Sequence, residues 1–397
     1  MQFDFILVGN SQGVLSNLPR ALKSAGFRIL VIGAPGMPLI KSPWIDSSIM
    51  LSNNTQSPFL QELFTKESML MDLTGTFLWS SDQIMREVAS SDIPLELKLK
   101  LLPVQSEVYL DILGSKISQF ERMSALGIPY PQSQAIMSKL ELANTEIEMQ
   151  GKVVAKGDFS AGGDQVRIFD SVMKEDLDLL PDEWFPILLQ RFVQHKSVSV
   201  EAYYRDGELV QWFYAIAEST VSPLGPSMSR TYLVPESLDF LEHLEKIGKL
   251  ANLDGFVNVS LLVDPDTGLH KFFEFDARPN RWHHIFFDFN VPFEGIWDKS
   301  IKFQPSDFLS TPLLVYEPAR LFQYLLMQWR LIGAIKVIRN LGLSRYGVPI
   351  SSVFYSSYYK KLNMIKLILF PLSHLTSLRG WFDKTKLKSR MLKFLSQ

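Results

Sequence analysis

The segment FDFILVGNSQGVLSNLPRALKSAGFRILVIG, residues 3–33, constrains the fold more than any other stretch of the chain. Two apolar, β-branched runs, FILV and RILVI, flank a stretch with apolar residues at helical spacing, and the connections are short. Such a strand–helix–strand unit closes with its two strands parallel, because the helix carries the chain back across the sheet. A parallel α/β layer is therefore expected at the N-terminus. Gly9 and Gly13 lie in the first turn, but their spacing is not G-x-G-x-x-G. They read as a tight structural turn at the edge of a substrate cleft rather than a cofactor turn. The pattern continues through QELFTKESM, helix-like, and MDLTGTFLWS, strand-like, to SSDQIMREVA, whose Ser80, Ser81 and Asp82 are good N-cap residues before an amphipathic helix. Residues 1–105 form one α/β domain, closed by DIPLELKLKLLP.

A different organisation begins near Leu110. DILGSKISQFERMSALG reads as a helix stopped by Gly127, and the prolines of IPYP force extended backbone. KVVAKGD and QVRIFDS are strands either side of a small-residue loop, residues 159–163, which suits an antiparallel pair. PILLQRFV, SVSVEAYYRDGELVQWFYAIAES and GFVNVSLLVDPDTGLHKFFEFDARP supply several strands with turn signals at Arg205–Glu208 and Asp264–Gly268. They predict a large antiparallel sheet, with LDFLEHLEKIGKLANL as a helix packed on it. Boundaries fall at 106–190, 191–300 and a basic helical extension, 301–397. The fold class is α/β plus α+β.

Composition removes several chemistries. With no cysteine, disulfides, thiolate metal sites and cysteine nucleophiles are excluded, and with six histidines the natural metal is a hard ion on oxygen ligands, such as magnesium. The longest apolar runs, such as MIKLILFPLSHL, fall short of the roughly 20 residues of a membrane span and are broken by Lys366 and Pro371. MQFDFILVGN lacks the basic start of a signal peptide, so the cytoplasm is the expected location. Residues 318–397 hold 14 Lys and Arg against Asp383 alone, net +13, which leaves −15 elsewhere in a chain of total −2. Basic and apolar residues interleave there, as in a helix lying on an anionic membrane. Basic helices covering the core or a dimer partner are the alternative. No nucleic-acid recognition motif accompanies the charge.

Two places carry chemistry. Lys156 ends the strand KVVAK just before the small-residue loop, where its ammonium and the loop amides would clamp a phosphate; a solvated lysine before a plain hairpin at Gly162 and Gly163 is the alternative. In FEFDARP, residues 273–279, period-two alternation puts Glu274, Asp276 and Arg278 on one face. Paired carboxylates repel unless a cation sits between them, and a divalent ion bridging ATP phosphates is the usual solution. Phe272, Phe273 and Phe275 predict an inner strand. Trp282, His283 and His284 follow directly, so His283 is a candidate for the substrate pocket, against a packing role for Trp282 and a surface role for one histidine. Arg230 is a candidate ligand of a substrate carboxylate, against a surface arginine.

These residues occur in an ordered series: SK at Lys116 followed by PYP, VVAK at Lys156, AGGDQV, LLQRFV, GFVNVS and EFDARP. In that order and spacing, residues 113–290 resemble the ATP-grasp superfamily, in its carbamoyl-phosphate synthase and biotin carboxylase branch, closest to predicted carboxylate-amine ligases or carboligases. The resemblance implies a small lobe within 106–190 and a large lobe within 191–300. It implies ATP and Mg2+ as cofactors, with Lys116 and Lys156 on the phosphates and Gly162 and Gly163 in the loop over them. Gln190, Arg191, Phe192 and Val193 would line adenine, Gln190 toward its amino edge and the Phe192 backbone reading the ring. Glu274 and Asp276 would hold magnesium, and Arg278, a catalytic residue with Lys156, would face an acyl phosphate. The family usually has a carboxylate at Ser260 and an Asn at Asp276. Its usual ribose-holding Glu is missing from Gln194–Ser197. The implied reaction joins a small-molecule carboxylate to an amine through an acyl phosphate. A decayed ATP-binding regulator or scaffold, and a carboxylase or phosphotransferase, are the alternatives.

Overall fold

The computed structural model describes residues 2–11, 13–147, 149–160, 163–193, 196–220, 227–264, 267–288, 309 and 312–316. All belong to one compact unit, Met1–Leu321. Gly162, and the helical extension expected at 301–397 apart from 309 and 312–316, lie outside the described residues. No helix among the described residues is long and apolar enough to cross a membrane.

The N-terminal segment folds as its pattern requires. Strands β1 (Gln2–Gly9), β2 (Ile29–Gly33), β3 (Ser47–Met50) and β4 (Thr74–Trp79) make a parallel sheet in the order β3-β2-β1-β4. Phe5 and Leu7 enter one core with Leu18 and Leu22 of α1 (Leu18–Ser24). Ile6 and Val8 enter the other with residues of α2 (Gln56–Phe64), which α3 (Glu67–Asp72) follows, and of α4 (Asp82–Ser90). Both faces are covered, which is why these strands are apolar throughout rather than alternating. Gly9 serves close approach: a Cβ there would sit 2.1 Å from Ser80 Oγ, at the end of the neighbouring strand. Ser81, the N-cap of α4, accepts from the Ile84 amide at 3.3 Å. Helix α5 (Leu95–Leu101) completes the layer.

After a short 3-10 turn, α6 (Lys116–Ala125) runs to the left-handed Gly127, and the extended IPYP segment leads into a second sheet. It comprises β5 (Ser133–Ile136), β6 (Val153–Gly157), β7 (Val166–Phe169) and β8 (Ile187–Arg191), antiparallel in the order β5-β8-β6-β7. Helices α7 (Lys139–Asn144) and α8 (Lys174–Asp178) bury Leu142 and Leu177 against Ile136, Val153 and Leu189 in a core of its own.

Among the described residues the third sheet has six strands, β9 (Lys196–Arg205), β10 (Glu208–Thr220), β11 (Ser227–Tyr232), β12 (Gly255–Val263), β13 (His270–Asp276) and β14 (Leu313–Tyr316), in the order β13-β12-β9-β10-β11-β14. Period-two alternation splits its faces. Val198, Val200, Ala202 and Tyr204 pack with Leu244, Ile247 and Ala251 of α9 (Leu241–Ala251). Ser199 and Glu201 point the other way, in line with Ser260 and Asn258 of β12 and with Glu274 and Asp276 of β13. The short α10 (Ile285–Asp288) follows β13.

Two expectations need correction. PILLQRFV belongs to the second sheet, not the large one; Ile187, Leu188 and Leu189 are all buried, so no alternation marks which sheet they join. Among the described residues, the strand carrying Glu274 is an edge strand, not an inner one. Phe272 and Phe275 are buried in the core on one face of the sheet, Phe273 is half-buried, and other elements close the open edge. The Phe272 amide donates to the Pro129 carbonyl at 2.8 Å, Tyr130 donates to the Phe273 carbonyl at 2.8 Å, and the Gln119 amide group bonds the Phe275 backbone both ways, at 2.7 and 3.1 Å.

Candidate active site

The site forms where the second sheet meets the covered edge of β13. Alternation along β13 is interrupted: Ser260 pairs with Glu274 and the next residue of β12, Leu261, pairs with Phe272, so Phe273 is an extra residue. This bulge lets Phe272 and Phe275 share the apolar core while Glu274 and Asp276 share the opposite face. Phe273 turns toward the second sheet, where Lys156 Nζ lies 4.9 Å from its ring centre.

Lys156 comes from β6. Its Nζ donates to Gln190 Oε1 at 2.7 Å, and Gln190 Nε2 donates to Ser133 Oγ at 3.2 Å. Burial pushes the Lys156 ammonium down to about 8; Glu274 opposes this and Lys116 adds to it, so all three groups share one field. Lys116 is the first residue of α6 and nearly buried; its Nζ donates to the carbonyls of Ser160 and Asp158 in the loop after β6. Asp158, 3% exposed, organises that junction: its carboxylate accepts from Ser115 Oγ at 3.0 Å and from the Ile117 amide at 2.8 Å, which ties the start of α6 to the end of β6. Gly163, across the loop, has φ +87°.

Asp276 sits beside Arg278, with Nη2 at 3.4 Å from Oδ2, and Asn258 Nδ2 donates to the same oxygen at 3.3 Å. Burial lifts the Asp276 carboxyl to about 7; Arg278 opposes, while Asp82 and Glu274 add to the rise. Burial works against the charge of Arg278, but Asp276 and Asp82 more than offset it and hold the guanidinium firmly protonated. Glu274 is half-exposed and makes no hydrogen bond or ion pair among the described residues. No three His, Asp or Glu side chains come together as a metal cage among the described residues. Two adjacent carboxylates fit a magnesium ion, which is usually held by one or two carboxylates and takes its other ligands from phosphates and water.

The structure thus brings together Lys116, Lys156, Glu274, Asp276 and Arg278. Gln190 is 3% exposed and holds Lys156 instead of standing open toward an adenine. The Phe192 amide donates to the Lys152 carbonyl at 2.8 Å, which leaves the carbonyl as the backbone group able to read a base. Arg191 is exposed, its amide donating to the Gln132 carbonyl at 2.8 Å; Val193 follows Phe192 beyond the end of β8.

The two substrate candidates lie in a buried network. Arg230 of β11 pairs with Glu201, 0% exposed, donates to Ser199 Oγ at 2.9 Å and Ser227 Oγ at 2.8 Å, and stacks 4.8 Å over the Trp282 ring. The expected surface arginine is therefore not found, and most of its donors are spent on protein. His283 is also fully buried, between the Val257 carbonyl at 3.2 Å and Asn280 at 2.9 Å. Burial pushes it down to about 3, so it is neutral. It braces the turn after β13 from behind and does not face an open pocket, which corrects the expectation for it. Gln119 and Asp158 carry no local signal, and Asp82 reads only as a helix cap, because each acts at the site through a partner at least 41 residues away.

No protein-family model matches this chain, and no curated protein matches it by sequence. Solved structures do share its fold. The biotin carboxylase domain of 2-oxoglutarate carboxylase from Hydrogenobacter thermophilus, in complex with Mg-ADP, ADP and bicarbonate, gives a TM-score of 0.54 at 15% identity, covering 71% of this chain and 66% of that one. An L-amino acid ligase from Bacillus licheniformis gives 0.50 at 11%, covering 69% and 66%. Phosphoribosylamine–glycine ligase from Thermotoga maritima gives 0.52 at 17%, covering 75% and 76%. The chain spans just under two thirds of the length of the first two. It has the ATP-grasp fold that these enzymes share.

Proposed function

We propose that this chain is a magnesium- and ATP-dependent ligase that activates a substrate carboxylate for attack by an amine. The observation that carries the reading is the meeting of Lys116, Lys156, Glu274, Asp276 and Arg278 at one junction, in a fold whose solved examples include structures holding ADP.

In this reading, a carboxylate oxygen attacks the γ-phosphorus of ATP and ADP leaves with the bond electrons. The amine nitrogen then attacks the acyl carbon, phosphate departs, and the nitrogen loses a proton. No protein nucleophile is needed, so the protein contributes position and charge. Lys116 and Lys156 hold phosphate oxygens, with Gly163 in the loop above them. Glu274 and Asp276 hold magnesium, which when bound neutralises phosphate charge. Arg278 faces the transferring group. The Phe192 carbonyl and the neighbouring Arg191 and Val193 flank the base.

The test is an ADP-release assay across pairs of small carboxylates and amines, with mass detection of the condensed product. ADP formation that needs both partners, with a product lighter by one water than their sum, is the expected result. Turnover that needs bicarbonate and no amine would identify a carboxylase instead. Tight ATP binding with no stimulated turnover would identify a regulator.

A further inference from the structure

Helix α4 of the N-terminal sheet reaches the junction twice. At its first residue, Asp82 Oδ2 accepts from Arg278 Nε at 2.6 Å, and Arg278 Nη2 approaches the same oxygen. One turn on, on the same face of the helix, the Arg86 guanidinium lies 4.0 Å over the ring of Phe159, in the loop after Lys156. A single helix from another layer thus touches the end of the metal strand and the phosphate loop.

The geometry points to Asp82 as a positioning residue for Arg278. A guanidinium is a rigid planar fork, and anchoring one edge fixes the direction of the other. Asp82 takes the Nε–Nη2 edge, and the Asp82 and Arg278 side chains are only 20% and 13% exposed, so the pair is shielded from solvent. Asp276 stands off at 3.4 Å and the Pro279 carbonyl accepts from Nη1 at 3.3 Å. Among the described residues no carboxylate claims Nη1. That side is left for an anion beside Glu274 and Asp276. Capping does not account for Asp82, since Ser81 already caps α4. Without Asp82, Arg278 keeps only the Asp276 contact at 3.4 Å and the Pro279 carbonyl at 3.3 Å, and its Nε is left without an anchor; a catalytic group displaced by about 1 Å loses on the order of a hundredfold in rate.

The inference rests on the nucleotide reading above and deepens it. Its test uses the full chain and two probes: Mg-ADP alone, and Mg-ADP with aluminium fluoride, a mimic of the phosphoryl group in transfer. Asp82→Asn keeps the shape and one oxygen acceptor but removes the charge. The expected result is Mg-ADP affinity within threefold of wild type, which also shows that the variant folds, with aluminium fluoride enhancement reduced at least tenfold. Arg278→Lys should lose the same enhancement. A merely structural role would weaken both probes together and would overturn the inference. So would an enhancement unchanged in Asp82→Asn, or no enhancement in the wild type. A wild-type chain that binds no Mg-ADP would overturn the nucleotide reading itself.

Discussion

Replacing Gln119 with leucine should damage fold and site together. The Gln119 side chain is 3% exposed and makes three hydrogen bonds to main chain: Nε2 to the carbonyls of Phe275 at 2.7 Å and Ile112 at 2.9 Å, and Oε1 from the Phe275 amide at 3.1 Å. Leucine fills similar space but satisfies none of them. Each buried main-chain group left without a partner costs about 1–3 kcal/mol, so three orphaned groups give roughly 3–6 kcal/mol once some water relief is allowed. That is a large part of the ~5–15 kcal/mol that holds a typical domain together. Gln119→Glu is a sharper probe: it keeps an acceptor for the Phe275 amide but sets a negative charge against two carbonyls, so it should be at least as harmful at neutral pH. Urea unfolding gives the stability, and Mg-ATP titration gives the site. A loss of roughly 3 kcal/mol or more, with Mg-ATP binding weakened as β13 loosens, is expected. Stability within about 0.5 kcal/mol of wild type, with unchanged binding, would refute the account of how the edge is closed.

Other consequences follow from single positions. His283 is held neutral with a folded pKa of about 3, against about 6.5 unfolded, so its contribution is complete above pH 6.5 and is lost as pH falls toward 3. Unfolding free energies from urea titrations between pH 7 and 4 should fall with a slope of up to ~1.4 kcal/mol per pH unit from this group, and His283→Gln should remove that part of the slope. Gly9→Ala should cost about 1–3 kcal/mol through overlap with Ser80, recoverable in part by Ser80→Gly but not by Ser80→Ala, because the new Cβ also meets the Ser80 Cβ at 2.5 Å. Thermal melting of the three variants checks this.

The parts of the fold that could be read from sequence are those in which local pattern and tertiary role agree. Residues 3–33 show strand, helix and strand because each apolar run has the length and flanks of its element, and the observed pairing of Phe5 with Ile29 through Gly9 with Gly33 follows. Glu274 and Asp276 were legible as a pair because alternation holds between them. The bulge at Phe273 was not, since three phenylalanines in four positions hide where the period slips. The sheet that Ile187–Arg191 joins depends on partners at Ser133–Ile136 and Val153–Gly157, which a uniformly buried run does not specify. Asp82 reads as a helix start from its neighbours, and only the tertiary fold brings Arg278, 196 residues on, against it.

The central claim is that Glu274 and Asp276, with Lys116 and Lys156, form a magnesium-nucleotide site. Calorimetric titration of the full chain with ATP, with and without Mg2+, in wild type and Glu274→Gln, tests it directly. The account predicts that Mg2+ strengthens ATP binding at least tenfold in wild type, and that Glu274→Gln abolishes this gain while melting as wild type does. Binding that is indifferent to Mg2+, or a magnesium effect preserved in Glu274→Gln, would contradict it.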